Sequence, residues 1–224
     1  MNTRDPNGDS SRELDRDVEG CAGAHQRLLA GLEDLTDEQA RRDSLLPGWT
    51  IGHVLTHLAR NAEAFTRLLE HANRGESVEM YEGGGPARSA AIEAGAARSA
   101  RELTHDVRQS IYALEGQWAQ TTTAGWSGVG HGMAGEIPMS DVPFRRWREV
   151  EVHHIDLGLE ATIEDWSPLY VRLETERMTM AFAARKPMGL TELPAAALAL
   201  KPRERLAWLL GRREVEGLPP AGIF

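Results

Sequence analysis

The sequence predicts a mainly α-helical fold, in which four main helices form an N-terminal bundle and a small C-terminal extension follows. Two observations support this prediction. Apolar residues recur at the three- and four-residue spacing of amphipathic helices in several long segments, and helix-capping signatures precede several of these segments. The composition of the 224 residues, 41% hydrophobic and 26% charged, is that of a globular protein that can bury a core.

The first half of the predicted bundle contains three helical segments. Residues 1–10 are expected to be disordered, and a first helix is predicted over residues 11–32. A second segment, residues 36–46, opens with Thr-Asp-Glu-Gln, which is typical of an N-terminal capping box. The third helix, residues 50–72, is the best defined, because its apolar residues form a continuous stripe. The stripe comprises Ile51, Val54, Leu55, Leu58, Ala62, Phe65 and Leu69.

The second half of the bundle alternates loops and helices. Residues 75–87 contain three consecutive glycines followed by a proline, so they predict an exposed loop. Residues 87–120 predict one long helix, with Gly95 and Gly116 as the positions where it could be interrupted, and the glycine-rich residues 121–139 predict a loop or a short hairpin. A last helix is predicted over residues 140–157, because Ser-Asp-Val-Pro is a helix start signal and Gly158 is expected to end the helix.

The C-terminal region has a different pattern. We divide the chain into a bundle, residues 11–160, and a small extension, residues 161–224, after the N-terminal segment. Within the extension, helices are predicted over residues 166–185 and 202–210, with a turn at residues 186–189 and room for a strand or two.

Composition also limits the classes of function. No apolar run approaches the ~18 residues that cross a membrane, and the polar N-terminus does not resemble a secretory signal. The net charge of −9 argues against nucleic-acid binding. The single cysteine, Cys21, excludes an intramolecular disulfide and a multi-cysteine zinc site. We therefore expect a cytoplasmic protein, a monomer or small homo-oligomer, with small molecules as partners.

Histidines and a glutamate at helical spacing predict a metal site. His53 and His57 lie one turn apart beside the apolar stripe of the third predicted helix, with His57 the nearer. On the last bundle helix, Glu149 and His153 are also one turn apart. Adding one histidine from a facing helix gives two imidazoles, one carboxylate and an open fourth position, which is typical of catalytic zinc.

Spacing alone leaves alternatives open at this point. The same pairs are also compatible with half-exposed helix residues that bind no metal. Neither Glu151 nor His154 is excluded as a ligand, and Asp156 could orient a ligand imidazole or face solvent. We interpret Cys21 as a small core residue rather than a nucleophile. The run of arginines at positions 145, 146 and 148 is most often a solvated helix face.

Three blocks of the sequence resemble a known family. Residues 47–62 read PGWTIGHVLTHLARNA, and residues 147–158 read WREVEVHHIDLG. Between them lie MYEGG, at residues 80–84 with Arg88 following, and IEAGA, at residues 92–96. In this order, the blocks resemble the mycothiol-dependent maleylpyruvate isomerases, which belong to the DinB-like metalloenzyme superfamily of four-helix bundles.

The resemblance implies a role for particular residues. The zinc ligands of the family fall on His57, Glu149 and His153, in agreement with the half-site predicted from spacing. The functional arginine near the C-terminus of the family falls on Arg212, with Arg213 as the second choice. We assign substrate carboxylate binding to Arg88 and Arg212.

The resemblance also bears on the cofactor and on the C-terminal region. We assign Arg88 and Tyr81 to binding of the cofactor thiol. Members of the family carry a longer α/β domain after the bundle, so the extension of this chain is predicted to be shortened, with helices and at most a little β-structure.

The implied activity is the conversion of maleylpyruvate to fumarylpyruvate in gentisate-type aromatic catabolism. Addition of the mycothiol thiolate converts the cis double bond into a single bond that rotates, and elimination gives the trans isomer. Zn²⁺, or another divalent metal, would deprotonate the thiol. Two alternatives remain open: a mycothiol S-transferase that acts on another electrophile, and a non-enzymatic metal-binding helical protein.

Overall fold

The protein is described by a computed structural model that covers residues 6–185 and 191–222, with side chains from Ser10 onward. The chain forms two compact units, the first ending at Glu160 and the second beginning at Ala161. The predicted mainly α fold is confirmed: the described part of the chain contains ten α-helices and one two-stranded sheet.

The first unit contains seven helices and a β-hairpin. In chain order they are α1 (Pro6–Gly31), α2 (Asp37–Arg41), α3 (Ile51–Asn73), α4 (Gly84–Ala96), α5 (Ala100–Gln120), α6 (Thr123–Trp126), β1 (Val129–Gly132), β2 (Gly135–Pro138) and α7 (Val142–Asp156). Helix α3 packs against α4, α5 and α7, and α1 packs against α7 and α5. The four long helices α1, α3, α5 and α7 thus form the bundle, and α1 begins at Pro6, before the predicted start at residue 11.

The N-terminus of α3 is fixed by a local cap. The Thr50 hydroxyl accepts a hydrogen bond from the His53 N–H, and the Thr50 N–H donates to Nδ1 of the His53 ring at 3.1 Å. The reciprocal pair satisfies two backbone donors that the first turn of a helix leaves without partners. The predicted capping box of Thr36 and Gln39 is also present, although α2 ends at Arg41 rather than at residue 46.

The predicted long helix over residues 87–120 is wrong: the structure has α4 and α5 there, separated at residues 97–99. Helix α4 also begins at Gly84, inside the predicted loop. Ser99 and Glu102 form a capping box that starts α5. Just before the break, α4 crosses α3 with the two backbones in close contact. A Cβ at Gly52 would overlap the Ala96 carbonyl oxygen, and a Cβ at Gly95 would lie 2.6 Å from Thr56 Cγ2.

The segment between α5 and α7 contains the hairpin that the sequence offered as one of two interpretations. Strands β1 and β2 pair antiparallel, from Val129 opposite Pro138 to Gly132 opposite Gly135. Helix α7 follows, with Pro143 in its first turn, and it ends before Gly158, whose φ of 65° is readily adopted only by a residue without a Cβ.

In the described part of the second unit, the regular secondary structure is helical. This unit contains α8 (Pro168–Ala184), α9 (Ala195–Leu198) and α10 (Pro202–Leu209). The Ser167 hydroxyl caps α8 by accepting from the Tyr170 N–H. Among the described residues of this unit, β-type pairing is limited to one isolated bridge between Val215 and Leu218. The predicted turn at residues 186–189 lies outside the described residues.

Within residues 6–185 and 191–222, no helix combines the length and the apolar character needed to cross a membrane.

Candidate metal centre

Helices α3 and α7 bring together three side chains that could hold a metal ion. His57 lies in the second turn of α3, and Glu149 and His153 lie one turn apart on α7. Oε2 of Glu149 is 2.9 Å from Nε2 of His57 and 3.6 Å from Nε2 of His153. One ligand atom from each of the three residues lies within 4.8 Å of the others, which is close enough for a single ion.

The protonation states of this cluster suit a divalent metal. Burial lowers the pKa of the His57 imidazole, and its hydrogen bond to Glu149 offsets this only in part. Burial raises the pKa of Glu149, but the hydrogen bond from His57, together with the electrostatic effects of His57, His153 and Arg146 in that order, outweighs it, so this pKa lies well below the usual range. A carboxylate beside a neutral imidazole is the form in which both groups bind metals.

Asp156 contacts a candidate ligand imidazole, which is one of the two roles that the sequence left open for it. Asp156 is buried, and its Oδ2 lies 2.8 Å from Nδ1 of His153. A carboxylate that accepts a hydrogen bond from Nδ1 keeps the ring proton on Nδ1 and leaves Nε2 available to bind a metal. Carboxylate partners of metal-bound histidines commonly act in this way. Asp156 therefore orients the ring so that Nε2 faces Glu149.

Replacing Asp156 with asparagine is expected to weaken metal binding about 10- to 100-fold, the usual cost of losing such a partner. Competition with a chromogenic chelator measures the affinity. Asp34→Asn, at an exposed position, is the matched control and should leave the affinity unchanged. Equal affinities for the two variants would contradict the orienting role of Asp156.

Arg88 and Tyr81, the residues assigned to the cofactor thiol in the sequence analysis, lie beside the cluster. Nη2 of Arg88 donates to Nδ1 of His57 at 3.0 Å. Because a guanidinium has donors only, Nδ1 is the acceptor and the ring proton lies on Nε2, toward Glu149. The Arg88 guanidinium also lies 5.7 Å from the centre of the Tyr81 ring, a cation–π distance.

A cavity of about 390 Å³ opens onto these side chains. Its walls come from α3, the segment leading into α4, α4 itself, the hairpin and α7. The lining residues are His57, Asn61, Phe65, Met80, Tyr81, Arg88, Gly132, Met133, Ala134, Gly135, Glu136, Ile137, Arg145, Arg148 and Glu149.

The structure places the alternative ligands elsewhere. His53 caps α3 with Nδ1, and its Nε2 lies 3.3 Å from Glu93. The Glu151 carboxylate is buried and accepts from Nε1 of Trp147 and Nη2 of Arg27. The His154 ring lies against α1 at Gly31. None of these three belongs to the described ligand cluster.

Arg212 lies in the second unit, after α10, where Nη1 donates to the Leu210 carbonyl oxygen. Its implied role in binding substrate stays a prediction. Cys21 is fully buried, and burial raises the pKa of its thiol, which keeps it protonated. This agrees with its interpretation as a core residue.

The interpretation of the arginine run as a solvated helix face is wrong for Arg146, which is fully buried. Its Nε donates to Nε2 of His25 at 3.1 Å, and Nη1 donates to the Leu58 carbonyl oxygen and to Oδ1 of Asn61. Burial lowers the pKa of His25 to about 4, so the imidazole is a neutral acceptor for Arg146, and its Nδ1 contacts Glu115 at 2.8 Å.

Arg145 and Arg148 are also not on a plain solvated face, because both line the cavity. The sequence contained a signal for Arg145, which precedes Glu149 by four residues and therefore shares its helix face. The burial of Arg146 had no comparable signal, since its acceptors are on other helices.

Two histidines and a glutamate presented from facing helices form a candidate metal site of the kind found in four-helix-bundle metalloproteins. The comparisons identify the family. Residues 21–158 match the model described as the mycothiol maleylpyruvate isomerase N-terminal domain. This match spans more than half of the chain, and the chain therefore belongs to this family of enzymes.

Two solved structures resemble the whole fold. One is a mycothiol-dependent maleylpyruvate isomerase, 24% identical, and the other is a mutant of such an isomerase, 23% identical. Each comparison has a TM-score of 0.79 and covers 89% of this chain and 90% of the solved chain. The lengths are thus similar, so the expected shortening does not distinguish this chain from these two. No curated protein matches the chain significantly.

Proposed function

We propose that this protein is a metal- and mycothiol-dependent cis–trans isomerase that converts maleylpyruvate to fumarylpyruvate by reversible thiolate addition, as in gentisate-type aromatic catabolism. The observation that carries the proposal is the cluster of His57, Glu149 and His153 beside an open cavity. Membership of the mycothiol maleylpyruvate isomerase family supports the choice of thiol and electrophile. A cytoplasmic location is part of this proposal, because low-molecular-weight thiols stay reduced there.

The donor set fits a divalent metal, with Zn²⁺ favoured by two imidazoles and one carboxylate. His57, Glu149 and His153 would hold it. The bound metal would lower the pKa of a thiol and keep it as the reactive thiolate at neutral pH. Because Cys21 is buried and protonated, the thiol must come from a cosubstrate.

Arg88 is suited to stabilise negative charge in the cavity. Addition of a thiolate forms a carbon–sulfur bond and moves the double-bond electrons toward the conjugated carbonyl oxygen, which a guanidinium can stabilise. Arg88 donates to Nδ1 of His57. A metal held by Nε2 of His57 would require the ring proton on Nδ1, which would remove this acceptor and leave the guanidinium available for substrate.

Two further residues have supporting roles in the proposal. Tyr81, in contact with Arg88 at the cavity wall, would pack against the thiol cosubstrate. Arg212 would bind a substrate carboxylate, as the family resemblance implies.

Zinc-loaded protein is expected to convert maleylpyruvate to fumarylpyruvate only when mycothiol is present. The reaction can be followed by the absorbance change of the conjugated substrate, and product identity by NMR. Glutathione in place of mycothiol and chelator-treated protein serve as controls.

Other outcomes of this experiment would replace the proposal. Stoichiometric loss of mycothiol without fumarylpyruvate would indicate an S-transferase. Metal binding without any thiol-dependent reaction, over a panel of electrophiles, would indicate a non-enzymatic metal-binding protein.

A further inference from the structure

Helix α7 contributes more to the cavity than two metal-binding side chains. Arg145 lies one turn before Glu149, and Arg148 directly precedes it. Both arginines line the same cavity as His57 and Glu149. Residues four apart share a helix face, so the helix that positions the carboxylate also brings a guanidinium to the cavity.

The cavity is locally cationic although the protein is anionic. Three arginines line it, Arg88, Arg145 and Arg148, against two carboxylates, Glu136 and Glu149. Glu149 is directed at the His57 imidazole, 2.9 Å away, so its charge is partly engaged. A positive cavity on a chain with a net charge of −9 indicates a local site for anions rather than a general attraction.

The other arginine of the cavity, Arg88, lies at the cluster itself. Arg88 contacts His57 and the Tyr81 ring, which places it close to the reacting atoms. A ligand with two carboxylates needs further cationic groups at a distance from that centre. Arg145 and Arg148 supply them, and guanidinium groups bind carboxylates through two parallel hydrogen bonds.

We propose that Arg145 and Arg148 form a carboxylate-binding pair that selects dicarboxylate electrophiles over monocarboxylates at this cavity. Nη2 of Arg145 also lies 4.0 Å from Oδ2 of Asp141, and an ion pair of this length between partly exposed groups contributes little. The inference rests on the proposed function in placing the electrophile beside the cluster. The inference adds the residues that recognise the second carboxylate of the electrophile.

Calorimetric titration of the zinc-loaded protein tests this pair without requiring turnover. Fumarate is the dicarboxylate probe, and its monomethyl ester has the same skeleton with one charge fewer. Arg145→Gln and Arg148→Gln are each expected to weaken fumarate binding about tenfold or more, since each removes charge-assisted hydrogen bonds. The double variant should lose the preference for fumarate over the ester.

Arg41→Gln, on the exposed surface of α2, removes the same charge elsewhere and should leave binding unchanged. Metal content and circular dichroism report whether each variant is intact. If the glutamine variants do not fold, Arg145→Lys and Arg148→Lys keep the charge but lose the paired hydrogen bonds, and they should still weaken fumarate binding.

Two results would overturn the inference: wild-type protein that does not prefer fumarate to the ester, or a folded double variant that retains the wild-type preference. Because the readout is binding, the inference and the proposed isomerisation can fail separately. Loss of the preference in the variants supports the pair even if maleylpyruvate is not turned over.

Discussion

Replacing His57 with alanine is expected to abolish metal binding and mycothiol-dependent activity together. His57 is buried, and its Nε2 and that of His153 face the same oxygen of Glu149. Loss of a partner outside the ligand set typically costs 10- to 100-fold in affinity, so loss of a ligand should cost more than about a hundredfold. Metal content after dialysis measures the loss of metal, and mycothiol-dependent turnover under the same conditions measures the loss of activity.

His53→Ala is the matched control, because it removes an imidazole one turn away on the same helix. His53 caps α3 through Nδ1, so its loss should lower stability by about 1 kcal/mol and leave one metal ion per chain. If the His57 variant retains a full equivalent of metal while the His53 variant loses it, the assignment of the ligands is wrong.

Replacing Gly52 with alanine is expected to have the largest effect on stability. The added Cβ would overlap the Ala96 carbonyl oxygen. This oxygen belongs to the backbone and cannot rotate away, so α3 and α4 must move apart. The expected loss is about 3 kcal/mol or more in the free energy of unfolding. Because α4 carries Arg88, the contact of Arg88 with His57 should be lost as well.

Gly116→Ala on α5 provides the opposite control. A Cβ there meets nothing within 4 Å, so alanine should stabilise the helix by about 0.5–1 kcal/mol. Urea unfolding followed by circular dichroism measures both variants. A Gly52 variant as stable as the wild type would show that the crossing of α3 and α4 is not a close backbone contact.

Features with local causes could be predicted from the sequence. The start of α3 depends on Thr50 and His53, and the region around α7 has a proline in the first turn and a glycine after the end. By contrast, the division between α4 and α5 depends on a competing cap at Ser99 and on the crossing at Gly52. The sparse apolar stripe of residues 87–120 allowed an interruption at Gly95 or Gly116, but it did not reveal that competition.

The choice among the candidate ligands was limited in the same way, because spacing along one helix does not reveal contacts with other parts of the fold. Helical spacing placed Glu149 and His153 on one face, but it could not decide between His53 and His57 or exclude Glu151. Packing decides these questions, because His53 is engaged in the cap of α3 and Glu151 in contacts with Trp147 and Arg27. Only the family resemblance selected His57, Glu149 and His153 before the fold was known.

The buried Arg146 has a consequence for how the bundle opens. Through His25, Leu58 and Asn61, its guanidinium joins α7 to α1 and α3. Moving any one of these helices would leave a buried charge or a buried acceptor without a partner, which is costly in a low-dielectric interior. Helices α3 and α7 are therefore expected to exchange their amide hydrogens only through global unfolding of the bundle. The candidate metal cluster is then expected to resist unfolding as strongly as the most protected part of the bundle.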